Sequence, residues 1–200
     1  PPLPLSPQQD QVFRGSTPTL SWTASSDAAM YRLQVAGDAE FTQLLIDHQD
    51  LREINFDTAA LTGIGEYHWR LTSIAADGEL GPPGDARRWI IKPVPERPKA
   101  SLEVQEDRII ASWRKGAPGQ TYQVQMSQDA GFEQLLLDEK QDGNQLELQP
   151  VKGQLRYLRV RIIEPDGYLG SWGATQKIDP VPDDSWLGVL LPAILGFLLL

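Results

Sequence analysis

An all-β chain folded as two β-sandwiches in tandem is predicted by three features of the sequence. Short runs alternate apolar and polar residues, the two halves repeat one another, and clusters of proline bracket the repeats. In Tyr31-Arg-Leu-Gln-Val35, Tyr31, Leu33 and Val35 fall on one face and Arg32 and Gln34 on the other. That is the period of a strand with one face on a core and one in water. Residues 122–126 and 67–71 alternate in the same sense, and 19–22 and 109–113 are shorter strands ending in Trp. Residues 88–91 close the first body. No window carries a convincing helical stripe, and 41–46, with its counterpart 132–137, reads as either one turn of helix or a short edge strand.

The repeat is direct. Trp22 matches Trp113, Tyr31 matches Tyr122, Asp38 matches Asp129 and Phe41 matches Phe132, each pair 91 positions apart. Leu44 with Leu135 and Asp47 with Asp138 keep that offset. Beyond them Asp77-Gly78 matches Asp166-Gly167 and Leu80-Gly81 matches Leu169-Gly170 at an offset of 89, so two residues are lost in between. Matches of such mixed chemistry mark a duplication, and two copies alone must each bury a core of their own. Asp77-Gly78 and Asp166-Gly167 supply the positive-φ position of a tight turn.

Proline clusters at 1–7, 93–98 and 179–183 set the boundaries. The expected organisation is a Pro-rich linker over 1–14, a sandwich over 15–93, a linker over 94–99, a second sandwich over 100–179, and a Pro/Asp linker with a hydrophobic tail over 180–200. The sequence begins at Pro1 rather than Met and is read as a piece of a longer or processed polypeptide.

Composition narrows the function. Apolar residues make up 40 % of the 200, enough for packed cores, and 17 Gly with 16 Pro suit many strands joined by turns. The net charge of −9 repels phosphate backbones, so nucleic acid is excluded as a partner. The absence of Cys removes disulfides and thiolate sites and points toward an exported protein. The two histidines, His48 and His68, have no ligand or triad spacing around them, and no nucleophile elbow, phosphate loop, zinc pattern or calcium loop is present. Asp38, Asp77, Asp129 and Asp166 read as turn formers. No catalytic residue, cofactor or metal site is assigned, and the expectation is a protein that is not an enzyme.

Trp22, Tyr31, Tyr67, Trp69, Trp113 and Tyr122 fall on the inward phase and are assigned to the structural core. The phase of Trp89 and Trp172 is not fixed. Trp172, flanked by small residues in Gly170-Ser-Trp-Gly173, is the candidate binding surface, a platform on which a sugar ring would stack.

A Trp on the second strand, a Tyr opening the third and a Leu six residues before a Tyr on the penultimate strand, here Trp22, Tyr31, Leu61 and Tyr67, resemble the skeleton of a fibronectin type III domain, an immunoglobulin-like sandwich. The resemblance implies a tyrosine corner at Tyr67, its phenol bonded to backbone upstream. The fuller run, residues 31–36, Asp38 with Phe41, 65–70, and Asp77-Gly78 with 80–82, is similar to the C-terminal repeats of bacterial FecR-domain envelope proteins, which often also carry a LysM module. Neither a FecR nor a LysM segment is visible. In the second copy, residues 158, 160 and 162 share a face and leave Tyr157 out of phase, so either a bulge restores that corner or it is lost.

Residues 186–200 are uncharged and apolar. As a helix they would extend about 22 Å, short of the roughly 30 Å of a bilayer core, and Pro192 would kink them. They are expected to be a short hydrophobic C-terminal helix serving as a membrane anchor, with Trp186 at the interface. The expected function is a non-catalytic spacer and protein-interaction module on the periplasmic face of a bacterial envelope, its partners envelope proteins, with membrane contact through the tail. The rival reading is a glycan- or peptidoglycan-binding module.

Overall fold

The computed structural model describes residues 2–105 and 107–180. Two units result, Pro1–Val94 and Pro95–Leu200, and each is described by itself.

The first unit contains β1 (Pro4–Ser6), β2 (Gln11–Arg14), β3 (Thr19–Trp22), β4 (Met30–Ala36), β5 (Leu44–Leu51), β6 (Asn55–Asp57), β7 (Gly65–Ile74), β8 (Leu80–Pro83) and β9 (Arg87–Lys92). One sheet has the order β1-β3-β6, and the other runs β2-β9-β7-β4-β5 with β8 also on β7. The register of β4 on β7 sets Leu33 opposite Leu71 and Val35 opposite Trp69, so the apolar phases of both strands share one face. That face joins Leu20, Trp22, Tyr31, Tyr67 and Trp89 in a buried core. Tyr67 stacks on Trp89 with ring centroids 5.2 Å apart, and Trp22 meets Tyr31 edge-on at 5.8 Å.

The second unit contains β10 (Ser101–Val104), β11 (Ile109–Ser112), β12 (Thr121–Ser127), β13 (Leu135–Gln141), β14 (Gln145–Leu148), β15 (Arg156–Ile163) and β16 (Gln176–Ile178). Its sheets run β10-β11-β14 and β13-β12-β15-β16. Tyr122, Val124 and Met126 lie opposite Ile162, Val160 and Leu158 and enclose a core with Trp113. The Trp–Tyr pair repeats, with Trp113 edge-on to Tyr122 at 5.5 Å. So does its anchor. The Tyr31 hydroxyl accepts from the Ser25 N–H at 3.0 Å, and the Tyr122 hydroxyl from the Gly116 N–H at 2.5 Å, 91 positions on. In each unit a three-stranded sheet faces a larger one, β2-β9-β7-β4-β5 in the first and β13-β12-β15-β16 in the second, which is a fibronectin type III-like arrangement.

Two expectations change and one open reading is decided. Residues 1–14 are not a linker. β1 pairs with β3, and β2 pairs in parallel with β9, Gln11 opposite Trp89 through Arg14 opposite Lys92. Pro7, without an N–H, falls between β1 and β2, and both strands end their sheets' orders, where proline costs least. The linker expected over 94–99 is also shorter, because Pro95 and Pro98 are buried in the second unit. Gly170 and Gly173 admit them: a Cβ on Gly170 would stand 3.1 Å from Pro95, and one on Gly173 would collide with the Pro98 carbonyl. The segments at 41–46 and 132–137 resolve as turns followed by strands, with no helix.

The tyrosine corner exists in the first unit alone among the described residues. The Tyr67 hydroxyl donates to the Gly63 carbonyl at 2.7 Å, with Leu61 against the same core. In the second unit β12 and β15 pair without a break from Thr121–Ile163 to Ser127–Tyr157, so no bulge rotates Tyr157 inward, and it stays half-buried. The expected tail helix lies outside the described residues.

Candidate functional site

The most organised polar surface is the outer face of the larger sheet, and it is built twice. It starts at an aspartate turn. In the second unit the Asp129 carboxylate accepts the N–H groups of Gln134 (2.8 Å) and Glu133 (3.1 Å) and the Ser127 hydroxyl (2.8 Å). Those donors hold its pKa down to about 2, the backbone N–H of Gln134 contributing most. In the first unit Asp38 accepts from Thr42 and Gln43, and its pKa is lowered chiefly by the Thr42 N–H. Each turn forces a phenylalanine into the left-handed region, Phe41 at φ 57° and Phe132 at φ 61°. The turn residues matched in the sequence thus present a ring to the sheet face.

A guanidinium lies over each ring. Arg70 is 4.1 Å from the Phe41 centroid and Arg159 3.9 Å from that of Phe132. Behind the arginines runs a cross-strand lattice. Arg159 donates to Gln125 Oε1 (2.9 and 2.7 Å) and Arg161 to Gln123 Oε1 (2.8 and 2.6 Å). Both glutamines donate to Asp138, at 2.5 and 2.9 Å, which lowers its pKa. The first unit carries a shorter version, with Arg70 on Gln34 at 2.8 Å and Arg32 paired twice with Asp47 at 2.7 and 2.5 Å.

Trp172 sits on this lattice. It is half-buried, and the guanidinium carbons of Arg159 and Arg161 each lie 4.3 Å from its ring. The indole expected to receive a sugar is therefore already in contact with two cations, and Arg159 bridges Phe132 and Trp172. Burial, and then the neighbouring Arg161, lower the Arg159 pKa, with Asp138 opposing. The first unit has Pro83 at the matching position, so the array ends there.

The six aromatics assigned to the core are buried, and so is Trp89. His48 is exposed on β5, with Nδ1 2.9 Å from Asp50, and His68 is half-buried on β7. Among the described residues no three His, Cys, Asp or Glu side chains gather as a metal site, and no helix is long and apolar enough to cross a membrane. Sequence reasoning passed over the arginines and glutamines. Their signal was the polar phase of the same strands whose apolar phase was used.

A second repeated feature lies at the sheet edges. β5 and β13 are terminal strands in their sheets, and each opens with two exposed leucines, Leu44 and Leu45 at 43 and 50 %, Leu135 and Leu136 at 43 and 40 %.

No protein-family model matches the chain, and no curated protein matches it. Solved structures similar to it include the FN1-FN3 domains of chicken CNTN1, at 15 % identity and TM-score 0.42 over 88 % of this chain and 65 % of that one. A two-domain fibronectin type III segment of chicken tenascin is similar at 14 % and 0.43, covering 88 and 98 %. The fibronectin(III)-like modules of Clostridium thermocellum CbhA are similar at 14 % and 0.43, covering 98 and 100 %. The chain thus spans about two thirds of the CNTN1 segment's length.

Proposed function

We propose that the chain is a non-catalytic spacer and protein-interaction module of a bacterial envelope. The observation that carries it is the repeated pair of exposed leucines on free edge strands. Edge strands normally carry charge or bulges that discourage pairing. Here Asp47 and Asp50, and Asp138, Glu139 and Lys140, occupy the later part of each strand, while the leucine end is uncharged and carries a register shift at Leu45 and at Leu136 that turns those side chains outward. An extended segment of a partner would add to that edge through backbone hydrogen bonds and cover the leucines. Two such edges in one chain give bivalent engagement.

The envelope setting is supported by the missing cysteine, the apolar run at 186–200 and the likeness of both copies to repeats of FecR-domain proteins. A role as the spacer of a FecR-type regulatory or sensing protein follows from that likeness.

Photoreactive residues at Leu45 and Leu136 in producing cells test the interaction. The expected result is the same adduct from both sites and none from Ser101, which is exposed on β10. Adducts no stronger than those at Ser101 would overturn the interaction role. Recovery of the full protein in the soluble fraction of broken cells without detergent would overturn the anchor.

A further inference from the structure

The second unit holds an open groove of about 530 Å³ whose lining includes Arg97, Lys99, Arg114 and Lys115, with Glu96 as its one carboxylate. In a chain of net charge −9 this concentration of cations is unusual. All four are exposed, and among the described residues none has an ion pair or a side-chain hydrogen bond. Three other arginines of the unit are engaged differently. Arg108 pairs with Asp107 and Glu147, and Arg159 and Arg161 bind glutamines.

The groove is placed by the fold. Arg97 and Lys99 flank the buried Pro98, whose carbonyl fits against Gly173. Arg114 and Lys115 follow Trp113 and precede Gly116, whose N–H is held by the Tyr122 hydroxyl. Both cation pairs therefore stand on segments fixed to the core. Pro98 and Ile162, both buried, supply apolar floor between them. The first unit offers an internal comparison. Thr23 and Ala24 occupy the positions matching Arg114 and Lys115, so the first unit has no cation at either place. The charge belongs to the second copy and not to the fold.

We propose that this groove binds an anionic saccharide, a sugar unit carrying a phosphate or a carboxylate. Its volume lies within the roughly 300–1,000 Å³ of small-ligand sites. The apolar floor suits the C–H face of a sugar ring. Guanidinium and ammonium groups without partners among the described residues suit an oxyanion, which arginine grips in bidentate fashion. The site is separate from Trp172 and does not rest on the spacer role.

The test is calorimetric titration of the full chain at fixed low salt with galacturonate oligomers, glucose 1-phosphate, inorganic phosphate and a neutral glucose oligomer. The expected result is binding of the galacturonate oligomer, the phosphorylated sugar or both, and none of the neutral oligomer. The arm that binds more tightly identifies the anionic group. The Arg114→Gln/Lys115→Gln variant should weaken binding by about tenfold or more, the equivalent of one charged hydrogen bond. Lys140→Gln, a neutralised exposed lysine on β13, should leave it unchanged. Equal weakening by Lys140→Gln, or no preference over the neutral oligomer, would overturn the proposal. Inorganic phosphate binding as tightly as the sugars would overturn the saccharide assignment. Because all the substituted side chains are exposed, an unchanged thermal transition is expected, and folding loss is separately visible.

Discussion

The Tyr67 hydroxyl reaches the Gly63 carbonyl at 2.7 Å, and among the described residues nothing replaces that bond in the second copy, where the matching position is Arg156 and the nearby Tyr157 is off the core phase. A buried phenol paired to backbone is stabilising, and a half-exposed tyrosine beside the same strand is not bound to be. Tyr67→Phe should therefore lower the stability of the first unit by about 1 kcal/mol. Tyr157→Phe should change the second by less than about 0.5 kcal/mol. Urea titration followed by amide signals of Leu33 and Val124 reads the two units separately. Equal losses would show that the corner carries no special weight.

The aspartate turns predict a pH dependence. The Asp129 carboxyl is held down to about 2 by the N–H groups it accepts, below the ordinary carboxylate value of about 3.9. A group with a depressed folded pKa contributes stability above its unfolded pKa and loses it as pH falls through the folded one. The second unit should thus lose this contribution between about pH 4 and pH 2, and Asp129→Asn should reduce the acid dependence in that window, leaving the part due to Asp138. Carbon-detected titration of the Asp129 carboxyl, with a midpoint near 2, checks the cause directly.

Much of this fold was legible because alternation and repetition carry the physics of a sandwich. The match of Asp38-Phe41 to Asp129-Phe132 marked the turns correctly, but not that they hold phenylalanine at positive φ beneath arginine, since that depends on β7 and β15 arriving opposite. The strands at 4–6 and 11–14 were hidden by proline, which in composition resembles a spacer. The cationic groove was hidden by chain topology. Residues 97, 99, 114 and 115 form no run, and a net charge of −9 points the other way.

The array on the second unit's outer face makes Trp172 a reporter. Arg159 lies over both Phe132 and Trp172, so Arg159→Gln should cost about 1 kcal/mol from the two cation–π contacts. Indole emission should also shift to the red as Trp172 gains water. Arg70→Gln removes a contact to one ring, Phe41, and should cost less and leave emission unchanged. An unshifted spectrum for Arg159→Gln would mean that Trp172 is held by its own loop.

The close approach of Gly173 to Pro98 couples the groove to the sheet. A Cβ at Gly173 would collide with the Pro98 carbonyl and lie 3.2 Å from the carbonyl of Val160, to which the Gly173 N–H is bonded at 2.8 Å. Backbone on both sides gives way only by moving the segment that carries Arg97 and Lys99. Gly173→Ala should therefore cost about 1–3 kcal/mol, as overpacking does. It should also shift the amide signals of Arg97 and Lys99 more than those of Arg114 and Lys115. Gly143→Ala is the comparison, since its Cβ would meet neighbours at an ordinary 3.7 Å and should change stability by less than about 0.5 kcal/mol. If Gly173→Ala lowers stability while the Arg97 and Lys99 signals stay in place, the strain is absorbed by the loop around Trp172. The 95–98 segment would then be fixed by the burial of Pro95 and Pro98 alone.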